Sequence, residues 1–117
     1  MSVAEPLVQI GLLGEAVDSA PFAVLVADET GRYVAVNRHA CELFGYPRDE
    51  FLTLRVSDIA VDPDVEAHYQ RFVAARFETG ASDARRKDGT TFSFEYRAGE
   101  TTIVGLTYYV SVGWLAE

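Results

Sequence analysis

The chain has 117 residues, 49% of them hydrophobic, a formal net charge of −8 and a pI near 4.6. That length fits one domain with a real core, and the negative charge, with no basic cluster larger than Arg85-Arg86-Lys87, argues against direct binding to a phosphate backbone. One cysteine excludes an internal disulfide, and without a basic leader or a run of about 18 apolar residues no membrane span is expected, only a soluble, cytoplasmic protein.

In chain order, the first predicted element is a helix within residues 1–20. Leu7, Ile10, Leu13 and Val17 recur at helical spacing, Val8, Leu12 and Ala16 widen the stripe, and Glu5-Pro6 suits a helix start. Gly11 and Gly14 each weaken such a helix by about 1 kcal/mol relative to Ala. It therefore depends on packing, either within its own chain or against a second copy.

The stretch from Ala23 to Tyr46 then compresses four elements. Val24-Leu25-Val26 is a β-prone run, Asp28-Glu29-Thr30-Gly31 is turn chemistry, and Tyr33 to Val36 is a second strand, so a hairpin is expected. Asn37 can cap a helix whose apolar positions Ala40, Leu43 and Phe44 share a face, and Gly45 can end it in the left-handed conformation. Tyr46-Pro47 forbids continuation, and Arg48-Asp49-Glu50-Phe51 reads as a short acidic helix.

Ser57-Asp58-Ile59 is a single turn. A longer helix is expected from Asp62 as cap and Pro63 as first residue to about Thr79, with Val65, Tyr69, Phe72, Val73 and Phe77 on its apolar face and Gly80 closing it. Ser82 to Lys87 pairs through Asp88-Gly89 with the alternating run Phe92, Phe94, Tyr96. Ala98-Gly99-Glu100 is read as a turn into a last strand, Thr101 to about Trp114, with Ile103, Gly105, Thr107 and Tyr109 on one face and Gly105 marking a bulge or a close approach.

The strand ending in Asp, the Gly turn, the strand ending in Asn and the helix ending in Phe-Gly-Tyr together resemble the opening of a PAS sensory domain. Arg85-Arg86-Lys87-Asp88-Gly89-Thr90-Thr91-Phe92 is similar to the central hairpin of that family, and the resemblance spans about Pro21 to Val112. It implies an α+β domain over 21–117, with a five-stranded antiparallel sheet in the order 2-1-5-4-3, helices on one face, and residues 1–20 as an N-terminal cap helix. In the family such a helix can make a homodimer, which here would use Leu7, Ile10, Leu13 and Val17.

The resemblance further implies a non-catalytic sensory or dimerisation module of a signal-transduction system, two-component or transcriptional. A small apolar or aromatic molecule is the candidate occupant of the space between sheet and helices. Leu25, Ala27, Ala40, Phe44, Tyr69, Phe72, Phe92, Phe94, Tyr96, Ile103, Gly105 and Thr107 would face that space, with Tyr69, Tyr96 and Thr107 as its polar groups. The plainer reading of the same aromatics is filled core. PAS domains usually end in an Asp-Ile-Thr linker to an effector, whereas this sequence ends Ser111-Val112-Gly113-Trp114-Leu115-Ala116-Glu117, which leaves a stand-alone module and a fragment equally open.

Cofactor identity stays open, with two cases disfavoured by residues. The flavin branch of the family carries a reactive cysteine in an Asn-Cys-Arg-Phe run, where this chain has Leu54-Arg55-Val56-Ser57; Cys41 lies on the preceding helix as a small apolar residue, and Thr107 replaces a flavin-contacting glutamine. In the haem branch the ligand position corresponds to Val65, and His68 falls one residue off the inward stripe, so His68 is read as a surface or edge histidine and His39 as exposed. No residue grouping has metal-ligand spacing. The alternative from another class is a small α+β enzyme using Tyr96 or Tyr109 with Glu95 or Asp28 for acid/base work. A carboxylate beside a cavity tyrosine would favour it, but alternation sends Glu95 outward.

Overall fold

The computed structural model describes residues 5–116; residues 1–4 of the expected N-terminal segment, and Glu117, lie outside the described residues. The elements are α1 (Pro6–Asp18), β1 (Ala23–Ala27), β2 (Tyr33–Val36), α2 (Arg38–Phe44), α3 (Arg48–Phe51), α4 (Val56–Ile59), α5 (Val65–Ala75), β3 (Phe77–Arg85), β4 (Thr91–Ile103) and β5 (Leu106–Leu115). The strands form one antiparallel sheet in the order β2-β1-β5-β4-β3.

Local chemistry accounts for the first half. Asp28 Oδ1 accepts the Thr30 and Arg32 amides and Gly31 takes a φ of 85°, which closes the β1–β2 turn. Asn37 caps α2 by accepting the Ala40 amide at 3.0 Å, and Gly45 ends α2 at a φ of 82°. Helix α1 starts with Pro6 in its first turn and buries none of its residues. Its C-terminal end is tied to the rest of the domain. Asp18 pairs with Arg48 and Arg38, and the Val17 carbonyl accepts from Asn37.

Three boundaries differ from the sequence reading, two of them at a non-glycine residue in the left-handed region. Helix α5 begins at Val65 rather than Pro63, and Asp62 caps the preceding turn by accepting the Asp64 amide at 2.8 Å. It ends at Ala75 rather than near Thr79, because Arg76 adopts a φ of 69° and turns the chain into β3. Phe77 is therefore an exposed strand residue, and Gly80 sits inside β3 opposite Tyr96. The β4–β5 turn falls at Val104-Gly105, with φ values of 50° and 74°. Ala98-Gly99-Glu100 is not a turn: β4 runs through it, and Gly99 pairs with Val110.

The core lies between the sheet and the helices, in two clusters. The larger centres on Phe44 and Phe51, the largest fully buried side chains, and Phe44 meets Phe51, Phe92 and Phe94 edge-on at 5.2–5.6 Å. The smaller consists of Phe72, Ala98 and Tyr109, with Phe72 and Tyr109 edge-on at 5.2 Å. Tyr96 packs against both clusters.

Candidate functional site

Where the two clusters meet they leave a cavity of about 130 Å³. The sheet side is supplied by Leu25 and Ala27 of β1, Phe94, Tyr96 and Ala98 of β4, and Tyr109 and Ser111 of β5. The helix side is supplied by Phe44, Val56, Ile59, Val65, Tyr69 and Phe72. Strand β3 closes the flank with Glu78, Ser82 and Ala84.

The positions expected at this space divide into two groups. Leu25, Ala27, Phe44, Tyr69, Phe72, Phe94 and Tyr96 line it. Ala40 and Phe92 are buried but outside it, filling the larger cluster. Ile103, Gly105 and Thr107 are displaced from it altogether: Ile103 is 46% exposed, Gly105 forms the hairpin turn, and Thr107 pairs with Thr102 beside that turn. The cause is the length of β4. Because the turn falls at Val104-Gly105, the cavity positions of β5 are Tyr109 and Ser111, farther along the same face.

One side of the cavity is polar, and the sequence reading missed it. Glu78 Oε1 lies 2.6 Å from His68 Nε2, and Glu78 Oε2 accepts the Tyr96 hydroxyl at 2.5 Å. Asp62 Oδ2 lies 3.5 Å from His68 Nδ1. All four side chains line the cavity, and His68, Asp62 and Glu78 are 38%, 33% and 27% exposed, which places them at its rim. Of the two readings for His68, surface or edge, the edge is where it sits, while His39 is half-buried rather than exposed. The missed signal was a strand period that starts within the segment read as helix: Glu78 and Gly80 share the inward alternation of Ser82 and Ala84 along β3.

The cavity tyrosines are neutral donors. Burial, reinforced by the neighbouring Tyr109 and acidic groups, raises the Tyr69 hydroxyl well above the ordinary phenol range, and that hydroxyl donates to the Asp28 carbonyl at 2.8 Å. Tyr96 is raised by burial and then by its bond to Glu78, and Tyr33 by burial. Glu95, a carboxylate of the enzyme alternative, accepts from Trp114 Nε1 on the far face of the sheet at 2.8 Å. Asp28 is occupied by its own turn. Cys41 is half-buried against the larger cluster, and burial pushes its thiol up. Among the described residues no His, Cys, Asp and Glu group is arranged to hold a metal ion, and no helix is long and apolar enough to cross a membrane.

An antiparallel sheet in the order 2-1-5-4-3, roofed on one face by short helices and one longer helix over a small cavity, defines an α+β fold. The sequence profile of the PAS domain family matches residues 21–105, and the chain belongs to that family. Among solved structures it is similar to the PAS domain of a two-component sensor histidine kinase, at a TM-score of 0.85 and 16% identity over 96% of this chain and 100% of that one. It is also similar to the PAS domain of an HTR-like protein from Haloarcula marismortui (TM-score 0.81, 22% identity, 94% of each chain). A PAS domain from Colwellia psychrerythraea superimposes at a TM-score of 0.83, with 18% identity over 92% of this chain and 97% of that one. At such identities the likeness speaks to the fold. A search of curated proteins finds no match to the chain. PAS domains are typically sensory signalling modules, and they commonly dimerise and connect to effector domains.

Proposed function

We propose that this chain is a non-catalytic sensory module whose cavity takes a small, largely apolar molecule and whose α1 helix forms a homodimer. The observation that carries the reading is the cavity itself, about 130 Å³ between aromatic walls and open at a polar rim. Its volume is close to that of the engineered apolar cavity of about 150 Å³ that holds benzene. A single ring or a short aliphatic chain fits such a space. A flavin ring system or a porphyrin would need the walls to part.

The dimer reading rests on α1. Leu7, Ile10, Leu13 and Val17 are 80%, 65%, 66% and 43% exposed, so the helix lacks the burial that a sequence with two interior glycines requires. A second copy would supply it. A ligand then signals only through its preference for one arrangement of the sheet and α1 over another. The effector, the signalling system and a cytoplasmic setting belong to this same proposal, as does the absence of direct nucleic-acid contact.

A second reading is favoured by the Glu78–Tyr96 pair, since a carboxylate beside a cavity tyrosine is what acid/base chemistry would need. The binding reading is preferred because Glu78 is already engaged by Tyr96 and His68, while the raised Tyr96 hydroxyl is a poor base. Native mass spectrometry of the purified protein tests the proposal, reporting oligomeric state and any retained small molecule in one spectrum. A dimer carrying a small non-covalent adduct is expected; a bare monomer that also takes up no added single-ring molecule would contradict it.

A further inference from the structure

The cavity is not uniformly apolar, and its one polar side has a definite sense. Glu78 is engaged once at each oxygen, by His68 and by Tyr96. A carboxylate offers about four lone-pair sites, so accepting capacity remains. The Tyr96 proton is committed to Glu78, which leaves its oxygen as an acceptor. The Tyr69 proton is committed to Asp28. Among the residues lining the cavity there is no Lys or Arg.

The strand beside this group carries small residues. Gly80 pairs with Tyr96 across the β3–β4 ladder, and a Cβ at Gly80 would stand 3.6 Å from the Tyr96 hydroxyl. Tyr96 lines the cavity together with the small Ser82 and Ala84 of the same β3 face.

We propose that Glu78 and Tyr96 form a recognition pole that selects single-ring or short-chain molecules carrying a hydroxyl or ammonium head and rejects carboxylates. This rests on the reading of the cavity as a binding site. The head group donates to Glu78 or Tyr96, and the apolar body lies against Phe72, Phe94 and Tyr109. A carboxylate in the same place would meet Glu78 and Asp62 with no fixed cation to offset them.

The test is isothermal titration of the full chain with four probes of one shape: toluene, benzyl alcohol, benzylamine and benzoate. Benzyl alcohol and benzylamine are expected to bind roughly tenfold more tightly than toluene, the gain of one or two buried hydrogen bonds, and benzoate more weakly than toluene. Glu78→Gln should erase the advantage of the amine over toluene and lift benzoate towards toluene. Tyr96→Phe should weaken benzyl alcohol most. Toluene binding as tightly as the alcohol and the amine in the unmodified protein, or an unchanged ranking in Glu78→Gln, would overturn the pole while the cavity still stands. Failure of all four probes, toluene included, would overturn the cavity and the pole together. The ranking in the unmodified chain decides even if a variant fails to fold.

Discussion

The side-chain amide of Asn37 donates to the Val17 carbonyl at 2.8 Å, joining the end of α1 to the start of α2. Asn37 is 3% exposed, and every polar site of its side chain is used: Nδ2 also donates to Phe22 O, while Oδ1 accepts from the Val24 and Ala40 amides. One residue thereby caps a helix, closes the start of β1 and fixes the direction in which α1 leaves the domain.

Replacing Asn37 separates those roles. Asn37→Ala removes the cap and strands two carbonyls and two amides, and should cost about 2–4 kcal/mol in urea denaturation. Asn37→Asp keeps the acceptor and loses the donor, so its cost should be smaller. Its signature should be faster amide exchange over the last turn of α1 and the Ser19–Phe22 segment, with α2 little changed. Equal exchange in both regions would show that the Val17 bond does not anchor α1.

Gly113 supports the cavity wall from below. A Cβ there would lie 2.3 Å from Phe94 Cζ and 2.5 Å from the Glu95 carbonyl, and the carbonyl belongs to the neighbouring strand. Gly113→Ala should destabilise by about 1–3 kcal/mol through overpacking and push Phe94 toward the cavity. Binding of toluene should fall with it. A variant of unchanged stability and affinity would mean the sheet yields there without consequence.

Acid stability should depend on Asp28. Burial opposes its charged form, but the Thr30 hydroxyl and the Arg32 and Thr30 amides prevail and hold the carboxyl below its ordinary range. A carboxyl lowered in the folded state contributes stability that is full above its unfolded value and is lost as pH falls through the folded one. The melting temperature of the unmodified protein should therefore exceed that of Asp28→Ala at about pH 6, and the gap should narrow below about pH 4. A gap independent of pH would assign the effect to turn geometry alone.

The exposed stripe of α1 makes the dimer testable. Leu13→Glu places a charge at the centre of the stripe and should convert a dimer to a monomer in light scattering, with the melting curve of the sheet domain retained. A dimer that survives the substitution would move the interface elsewhere, the nearest candidate being the outer sheet face around Val34 and Trp114, which are 42% and 40% exposed.

The sequence was legible wherever one residue decides a local event. Asn37, Gly45, Asp28-Gly31 and Asp88-Gly89 each carry their capping or turn chemistry within a few residues, and the first hairpin and α2 followed from them, whereas the sheet order came from the family resemblance and not from any local signal. It was illegible at Arg76 and Val104. Neither residue type advertises a positive φ, so the helix was carried past Ala75 by the periodicity that continues to Phe77, and the turn was assigned to the glycine at 99 instead of the one at 105. Those two slips explain the site as well. They hid Glu78 inside a helix and moved the β5 contribution from Tyr109 and Ser111 to Ile103, Gly105 and Thr107. His68 was judged by its register on one helix, whereas its partner Glu78 comes from a strand that the helix reading had erased.

The central claim is that the space between Phe72, Phe94 and Tyr96 binds small molecules, and amide-resolved NMR titration with benzyl alcohol tests it most directly. Saturable shifts confined to Ala27, Phe72, Phe94, Tyr96, Ala98 and Ser111, with α1 and the outer sheet face unmoved, are predicted. Shifts that never saturate, or that fall only on α1 and the β4–β5 tip around Val104, would contradict it.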